Sequence, residues 1–108
     1  MSDLEELRDA MRRFTHERDW SRFHDPKSLM LALVGEVGEL SELMQWVPAK
    51  DAAAVLAAEP RRTRVGEEMA DVLLYLVRLA DVLEIDLREA TDRKVRLNEL
   101  KHPRSADS

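Results

Sequence analysis

The sequence contains no cysteine, and its 108 residues include only three glycines and four prolines. The absence of cysteine excludes disulfide bonds and thiolate metal sites, and it is compatible with a reducing compartment. Glycine and proline are the residues that most disfavour a helix interior, so their scarcity favours long helices. With 44% hydrophobic and 36% charged residues, the composition predicts a soluble, all-α protein.

Long apolar runs are also missing, since none approaches the roughly 18 residues that a membrane span requires. The segment MSDLEELRDAM is acidic and amphipathic, unlike a signal peptide, so we expect a cytoplasmic protein with no membrane partner. The formal net charge of −5 argues against nucleic acid as a partner, because non-specific binding needs a basic surface. A small phosphorylated ligand remains compatible, since cations can be concentrated at one site.

Apolar residues at helical spacing predict four main helices, and no segment has the pattern of a strand. Asp25-Pro26 supplies an N-cap and a first-turn proline for the second helix, and Asp86 with Glu89 resembles a capping box for the last. The length of the chain predicts one domain over residues 1–103, a four-to-five-helix bundle, with a disordered tail over 104–108. The predicted helices are 3–16, 25–45, 63–84 and 86–103, with a short fifth helix at 51–58.

The segment GEVGELSELMQW, residues 35–46, brings acidic residues onto the apolar face of the second predicted helix. At about 100° per residue, Glu36 projects inside the apolar arc and Glu39 lies at its edge. The segment EEMADVLLYLV repeats this arrangement on the helix predicted over 63–84, where Glu68 and Asp71 turn toward apolar residues. Two helices therefore each carry an i, i+3 pair of carboxylates toward apolar surroundings.

These four carboxylates would be costly to bury together. A lone buried carboxylate tends to take up a proton, and clustered carboxylates also repel one another. The helix faces that carry them contain no lysine or arginine that could compensate the charge. A bound divalent cation would remove the conflict, and ligands that are all oxygen suit Mg²⁺ better than zinc or copper.

The acidic residues have two other interpretations. Glu-x-x-Glu spacing is common on solvated helix surfaces, so the protein could be a non-catalytic helical module for oligomerisation or interaction. A di-iron bundle is the competing metal site, but it requires Glu-x-x-His on each of two helices. The only such motif here runs from Glu99 to His102, at the end of the last predicted helix.

The segments GEVGELSEL and EEMADVLLYLV resemble the signature of the MazG-like, all-α nucleoside triphosphate pyrophosphohydrolase superfamily, ExxE on one helix and ExxD on the next. Together with ERDWSRFHDPKSLMLALVGEVGELSELMQW and the K…N…HP ending, the resemblance narrows to the dCTP pyrophosphatase branch over about 100 residues. It implies a MazG-like bundle that uses Mg²⁺ to hydrolyse a nucleoside triphosphate to monophosphate and pyrophosphate. The implied substrate is dCTP or a modified dCTP, and the implied role is house-cleaning of the nucleotide pool.

The resemblance also implies residue roles. In the dCTP branch a histidine of the first helix contacts the base, whereas this chain has Met11 there, which predicts some activity on other dNTPs. His16 and His24 have no acidic partner at a telling spacing, so we assign them structural roles. Glu39 is our candidate for the catalytic base that orients the attacking water. The implied Mg²⁺ ligands are Glu36, Glu39, Glu68 and Asp71, and the implied substrate-binding residues are Trp20, Trp46, Tyr75, Lys94 and Asn98.

The helix predicted over 63–84 is apolar on more than half of its circumference. The other helices of one short chain can hardly cover all of that surface, so a self-complementary dimer is expected. Members of the family that the sequence resembles form dimers and tetramers built as dimers of dimers. We slightly favour the tetramer.

Overall fold

The structure is a computed structural model that describes residues 2–105. These residues form α-helices and no β-strand, which confirms the all-α prediction. None of the helices they form is both long and apolar enough to cross a bilayer. The predicted disordered tail falls mostly on residues 106–108, outside the described part of the chain. The helices are α1 (Asp3–Glu17), α2 (Pro26–Glu42), α3 (Ala52–Ala57), α4 (Arg61–Val82) and α5 (Leu87–Lys101).

Side-chain caps explain where three of the helices begin. Ser2 caps α1 by accepting a hydrogen bond from the backbone N–H of Glu5. Asp25 caps α2 through the N–H of Ser28 at 2.9 Å, and proline occupies the first turn as predicted. Asp86 caps α5 by accepting from the N–H of Glu89 at 3.1 Å. Caps of this kind each stabilise a helix by about 1 kcal/mol.

Helix α4 is the centre of the fold. Helix α2 packs along it most extensively, and α1 and α3 also pack against it. The buried apolar residues are few, and they lie on α2, directly after its end, and on α4: Leu29, Leu33, Leu43, Val77 and Ala80. A core this small stabilises a single chain only modestly.

A charged network joins α1 to α4. Arg12 on α1 donates through Nε to Asp81 Oδ2 at 2.7 Å, and Arg78 Nη1 lies 3.3 Å from the same oxygen. The Arg78 residue is only 9% exposed. Its Nε donates to His24 Nδ1 at 3.0 Å and so fixes the segment between α1 and α2 against α4.

Helix α5 and parts of α2 and α4 leave apolar surface uncovered. Beyond Leu87 the residues of α5 are exposed, and this helix has no extended packing against the other described helices. The radius of gyration is 17.3 Å, whereas a compact domain of about 100 residues has roughly 13 Å. Helix α4 and the residue that caps its C-terminus carry an exposed apolar stripe, called here the α4 stripe: Met69, Leu73, Leu76 and Leu83.

Candidate active site

The packing of α2 against α4 brings three of the predicted metal ligands together. One carboxylate oxygen from each of Glu36, Glu39 and Glu68 lies within 4.8 Å of the other two. Glu36 and Glu39 share a helix face because they are three residues apart, and Glu68 meets them from the neighbouring helix. Glu36 and Glu68 are half-buried and Glu39 is exposed, so the cluster opens to solvent at Glu39.

The acidic cluster is electrostatically strained. Burial, followed by repulsion from Glu39, raises the pKa of Glu36 from 4.5 to about 7. Burial also raises the pKa of Glu68. Glu36 Oε2 and Glu68 Oε2 are both inaccessible to solvent, and neither has a hydrogen-bond partner within the described chain. Buried polar atoms are normally satisfied, so two unpartnered oxygens side by side need an explanation.

A hard divalent cation fits this cluster. All three donors are carboxylate oxygens, the ligands that Mg²⁺ accepts in proteins. The two unpartnered oxygens would gain a charged partner, and the repulsion that raises both pKa values would be compensated. The donor set contains no nitrogen or sulfur, so it does not fit zinc or copper as well.

Asp71, the fourth predicted ligand, lies one turn beyond Glu68 on α4. It is exposed and is not part of the group whose oxygens approach within 4.8 Å. Its negative charge nevertheless contributes to the raised pKa of Glu36 and of Glu68. Asp71 therefore stands at the edge of the cluster, between the acids and a neighbouring cavity.

That cavity, with a volume of about 370 Å³, lies between α1, the α1–α2 connection and α4. Its size is within the range of pockets that bind small molecules. The ring of Trp20 packs edge-to-face on Phe14, with centroids 5.4 Å apart, so one wall is aromatic. The lining includes Met11, Phe14, Trp20, Asp71, Leu74 and Tyr75.

The structure separates the predicted substrate-binding residues into two sets. Trp20 and Tyr75 line the cavity, together with Met11. Trp46 follows the end of α2, is 88% exposed and does not line the cavity. Lys94 and Asn98 are exposed on α5, which does not pack along α2. A single chain thus assembles the acids and one aromatic wall, but not the predicted cationic part.

His24, for which the sequence predicts only a structural role, also lies on the cavity wall. Its position four residues after Trp20, in RFHDP, was the available signal. That signal is weak because the loop conformation decides where the imidazole points, and spacing along the chain does not report it. Burial and the charge of Arg78 lower the pKa of His24, which keeps the imidazole neutral.

Comparison with known proteins adds independent information. A family model described as the MazG nucleotide pyrophosphohydrolase domain matches residues 24–105. The dCTP pyrophosphatase 1 proteins of Bos taurus and Homo sapiens are each 43% identical over 100 residues, covering 93% of this chain. The chain spans only 59% of the length of these relatives. The crystal structure of a pyrophosphatase from Archaeoglobus fulgidus matches with a TM-score of 0.87 at 43% identity, covering 96% of this chain and 95% of that one.

Proposed function

The chain belongs to the MazG nucleotide pyrophosphohydrolase family, and we propose that it hydrolyses a nucleoside triphosphate to the monophosphate and pyrophosphate with Mg²⁺. The observation that carries the proposal is the pair of unpartnered, buried oxygens, Glu36 Oε2 and Glu68 Oε2, next to an aromatic cavity. A metal-dependent site for a nucleoside triphosphate needs both features: carboxylates that hold the cation and a cavity that holds the nucleobase.

We assign the metal to Glu36, Glu39 and Glu68, with Asp71 as the fourth ligand. When bound, Mg²⁺ would neutralise phosphate charge and lower the pKa of an attacking water. Glu39 is the exposed member of the cluster, so it is the carboxylate best placed to orient that water and accept its proton. A catalytic base must reach solvent-derived water, and the half-buried Glu36 and Glu68 are less open to it.

The cavity is the proposed binding site of the nucleobase. Trp20 and Tyr75 offer aromatic surface to a flat ring, and Asp71 links the cavity to the acidic cluster. The 43% identity to dCTP pyrophosphatase 1 proteins supports dCTP or a modified dCTP as the substrate. Met11 on the cavity wall offers a flexible apolar contact, which would accommodate a substituent at the 5-position of the ring.

A nucleotide panel tests this substrate assignment. We expect kcat/KM to be highest for dCTP and 5-methyl-dCTP, with measurable activity on dTTP, dUTP and dATP. Met11→His should sharpen the preference for dCTP, because one added hydrogen bond to the base contributes about 1 kcal/mol, or roughly fivefold. A wild-type protein that prefers a purine to dCTP by about tenfold or more would refute the pyrimidine assignment and leave the pyrophosphohydrolase assignment intact.

Binding of Mg²⁺ should depend on pH, because the cation must displace the proton that Glu36 holds below about pH 7. We expect the Mg²⁺ affinity measured by calorimetry to rise about tenfold from pH 5.5 to 6.5, and by less than about twofold from pH 7.5 to 8.5. Glu42→Gln, which changes an exposed carboxylate of the same helix, should leave this profile unchanged. An affinity that is constant between pH 5.5 and 7.5 would contradict the assignment of Glu36.

We also propose that the active form is an oligomer, a dimer or a dimer of dimers, with the tetramer slightly favoured. The α4 stripe is exposed in one chain, and the exposed apolar residues of α5 include Val95, Leu97 and Leu100. A second copy that covers these surfaces would also bring its own α5 close to the first copy. Lys94 and Asn98 of that helix, and the exposed Trp46, would then complete the site around the triphosphate.

A further inference from the structure

The hydrogen bond between Arg78 and His24 fixes the protonation of the imidazole. A guanidinium group has only donors, so the His24 Nδ1 that it contacts at 3.0 Å must be an unprotonated acceptor. The imidazole is then neutral, and its single proton lies on Nε2. A histidine without such a partner would exchange between the two tautomers.

Arg78 is itself held in place from a second side. Its Nη1 lies 3.3 Å from Asp81 Oδ2, and Arg12 donates to that same oxygen at 2.7 Å. The hydrogen bond from Arg12 lowers the pKa of Asp81, so the carboxylate stays charged. Because Arg78 is also almost completely buried, its Nε cannot easily turn away from His24. Arg12 thus holds Asp81, Asp81 holds Arg78, and Arg78 in turn holds the imidazole of His24.

The cavity wall contains few polar groups that could be as firmly oriented as His24. Thr15 lines the cavity too, but its hydroxyl donates to the Met11 carbonyl at 2.9 Å. Asp71, when ionised, can only accept a hydrogen bond. An N–H fixed in largely apolar surroundings selects strongly for an acceptor on the ligand, because an unmatched polar group there would lose its hydrogen bond to water.

We propose that Arg78 is a positioning residue that holds His24 as its Nε2–H tautomer, and that this N–H reads a ring carbonyl oxygen of the nucleobase. The inference rests on the proposed function, in that the cavity receives the base. Cytosine has a single carbonyl, at C2, so O2 is the acceptor in a cytosine nucleotide. A neutral imidazole has no charge to attract phosphate, which distinguishes this role from binding of the triphosphate.

Equilibrium binding of dCMP and 2-thio-dCMP tests the contact without requiring turnover, since sulfur is a weaker acceptor than oxygen. Wild-type protein should bind dCMP about five- to tenfold more tightly, the range of one hydrogen bond. His24→Asn keeps an acceptor for Arg78 but lacks the Nε2 donor, so it should lose this preference. His24→Gln keeps a donor near Nε2 and should retain it, and His16→Asn, an exposed control on α1, should behave as wild type.

The outcomes separate this inference from the proposed function. If His24→Asn retains the wild-type preference, or if the wild type binds both nucleotides equally or not at all, the role of His24 is wrong. If the wild type prefers dCMP but releases no pyrophosphate from any nucleoside triphosphate, the contact stands and the proposed hydrolysis fails.

Nitrogen-15 NMR of the imidazoles tests the role of Arg78 directly. In wild-type protein His24 should show one unprotonated Nδ1 and one protonated Nε2, with no change between pH 7 and 8. The exposed His16 should show a mixture of tautomers and serves as the internal control. Arg78→Lys, which removes Nε but keeps the charge, should make His24 a mixture as well. A tautomeric mixture at His24 in the wild type would overturn the proposal.

Discussion

Replacing Glu36 or Glu68 by glutamine should lower the rate of pyrophosphate release at least about 100-fold, the range for a lost electrostatic or acid–base contribution. Each substitution removes a carboxylate whose buried oxygen otherwise has no partner in residues 2–105. An amide is nearly isosteric but neutral, so the cluster would no longer hold Mg²⁺ tightly. The measurement is kcat for dCTP at saturating Mg²⁺.

The same substitutions should raise the stability of the metal-free protein, although they lower its activity. The folded pKa of Glu36, about 7, lies above its ordinary value of 4.5. The folded state therefore binds the extra proton, so this group lowers the stability of the metal-free protein progressively as pH rises from about 4.5 to 7. At pH 8 without Mg²⁺, Glu36→Gln should consequently have a higher Tm than the wild type.

Addition of millimolar Mg²⁺ should then give the wild type a higher Tm than the variant. Ligand binding stabilises only the protein that binds it, so the wild type should gain several degrees in Tm and Glu36→Gln/Glu68→Gln should gain little. Glu42→Gln on α2 is the matched control and should show the wild-type response. An equal response of the wild type and the double variant, with kcat unchanged, would favour the non-catalytic helical module over an enzyme.

Substituting glutamate for Leu73 or Leu76 on the α4 stripe should convert the proposed oligomer to monomers and remove most of the activity. Both side chains are exposed in a single chain, so a charge there should not disturb the core of the monomer. At a subunit interface the same charge would be desolvated without a partner, which costs several kcal/mol. Sedimentation and light scattering report the mass, and circular dichroism checks that the helices persist.

Ala54→Glu, at an exposed position of α3, adds the same charge outside the stripe and should leave the mass unchanged. If Leu73→Glu stays oligomeric, the α4 stripe is not an interface. If it becomes monomeric with full activity, then Lys94 and Asn98 are not supplied by a second copy. Mixing Lys94→Ala with Glu36→Gln subunits should partly restore turnover, since some sites would then contain neither substitution.

The sequence by itself determined the helical class and the positions of the acids on their helices. Helix caps at Asp25 and Asp86 involve residues three positions apart, so local spacing reveals them. The alignment of Glu36 with Glu39 follows from the pitch of one helix in the same way. The family was also identifiable, because each half of its motif lies on one continuous helix and can be recognised from the spacing of residues along it.

Tertiary structure alone decided which of these residues meet. Helix α2 ends at Glu42 and not at the predicted Gln45, because the N–H groups of Leu43 and Met44 bond to carbonyls three residues back and so form tighter turns. Asp71 stays outside the close acidic group, since its position depends on how α4 is rotated against α2. Helical periodicity gives the face of one helix, but the relative rotation and crossing of two helices arise from packing across the whole core.

For His24 and α5, the local sequence pattern says even less about which residues come into contact. The partner that sets the His24 tautomer is Arg78, which is 54 residues away in sequence, so no local pattern could have indicated it. Lys94 and Asn98, two of the predicted substrate-binding residues, lie on α5 and are exposed in one chain. Amphipathic spacing shows that a helix has a face to cover, whereas the surface that covers it is set by contacts between residues distant in sequence.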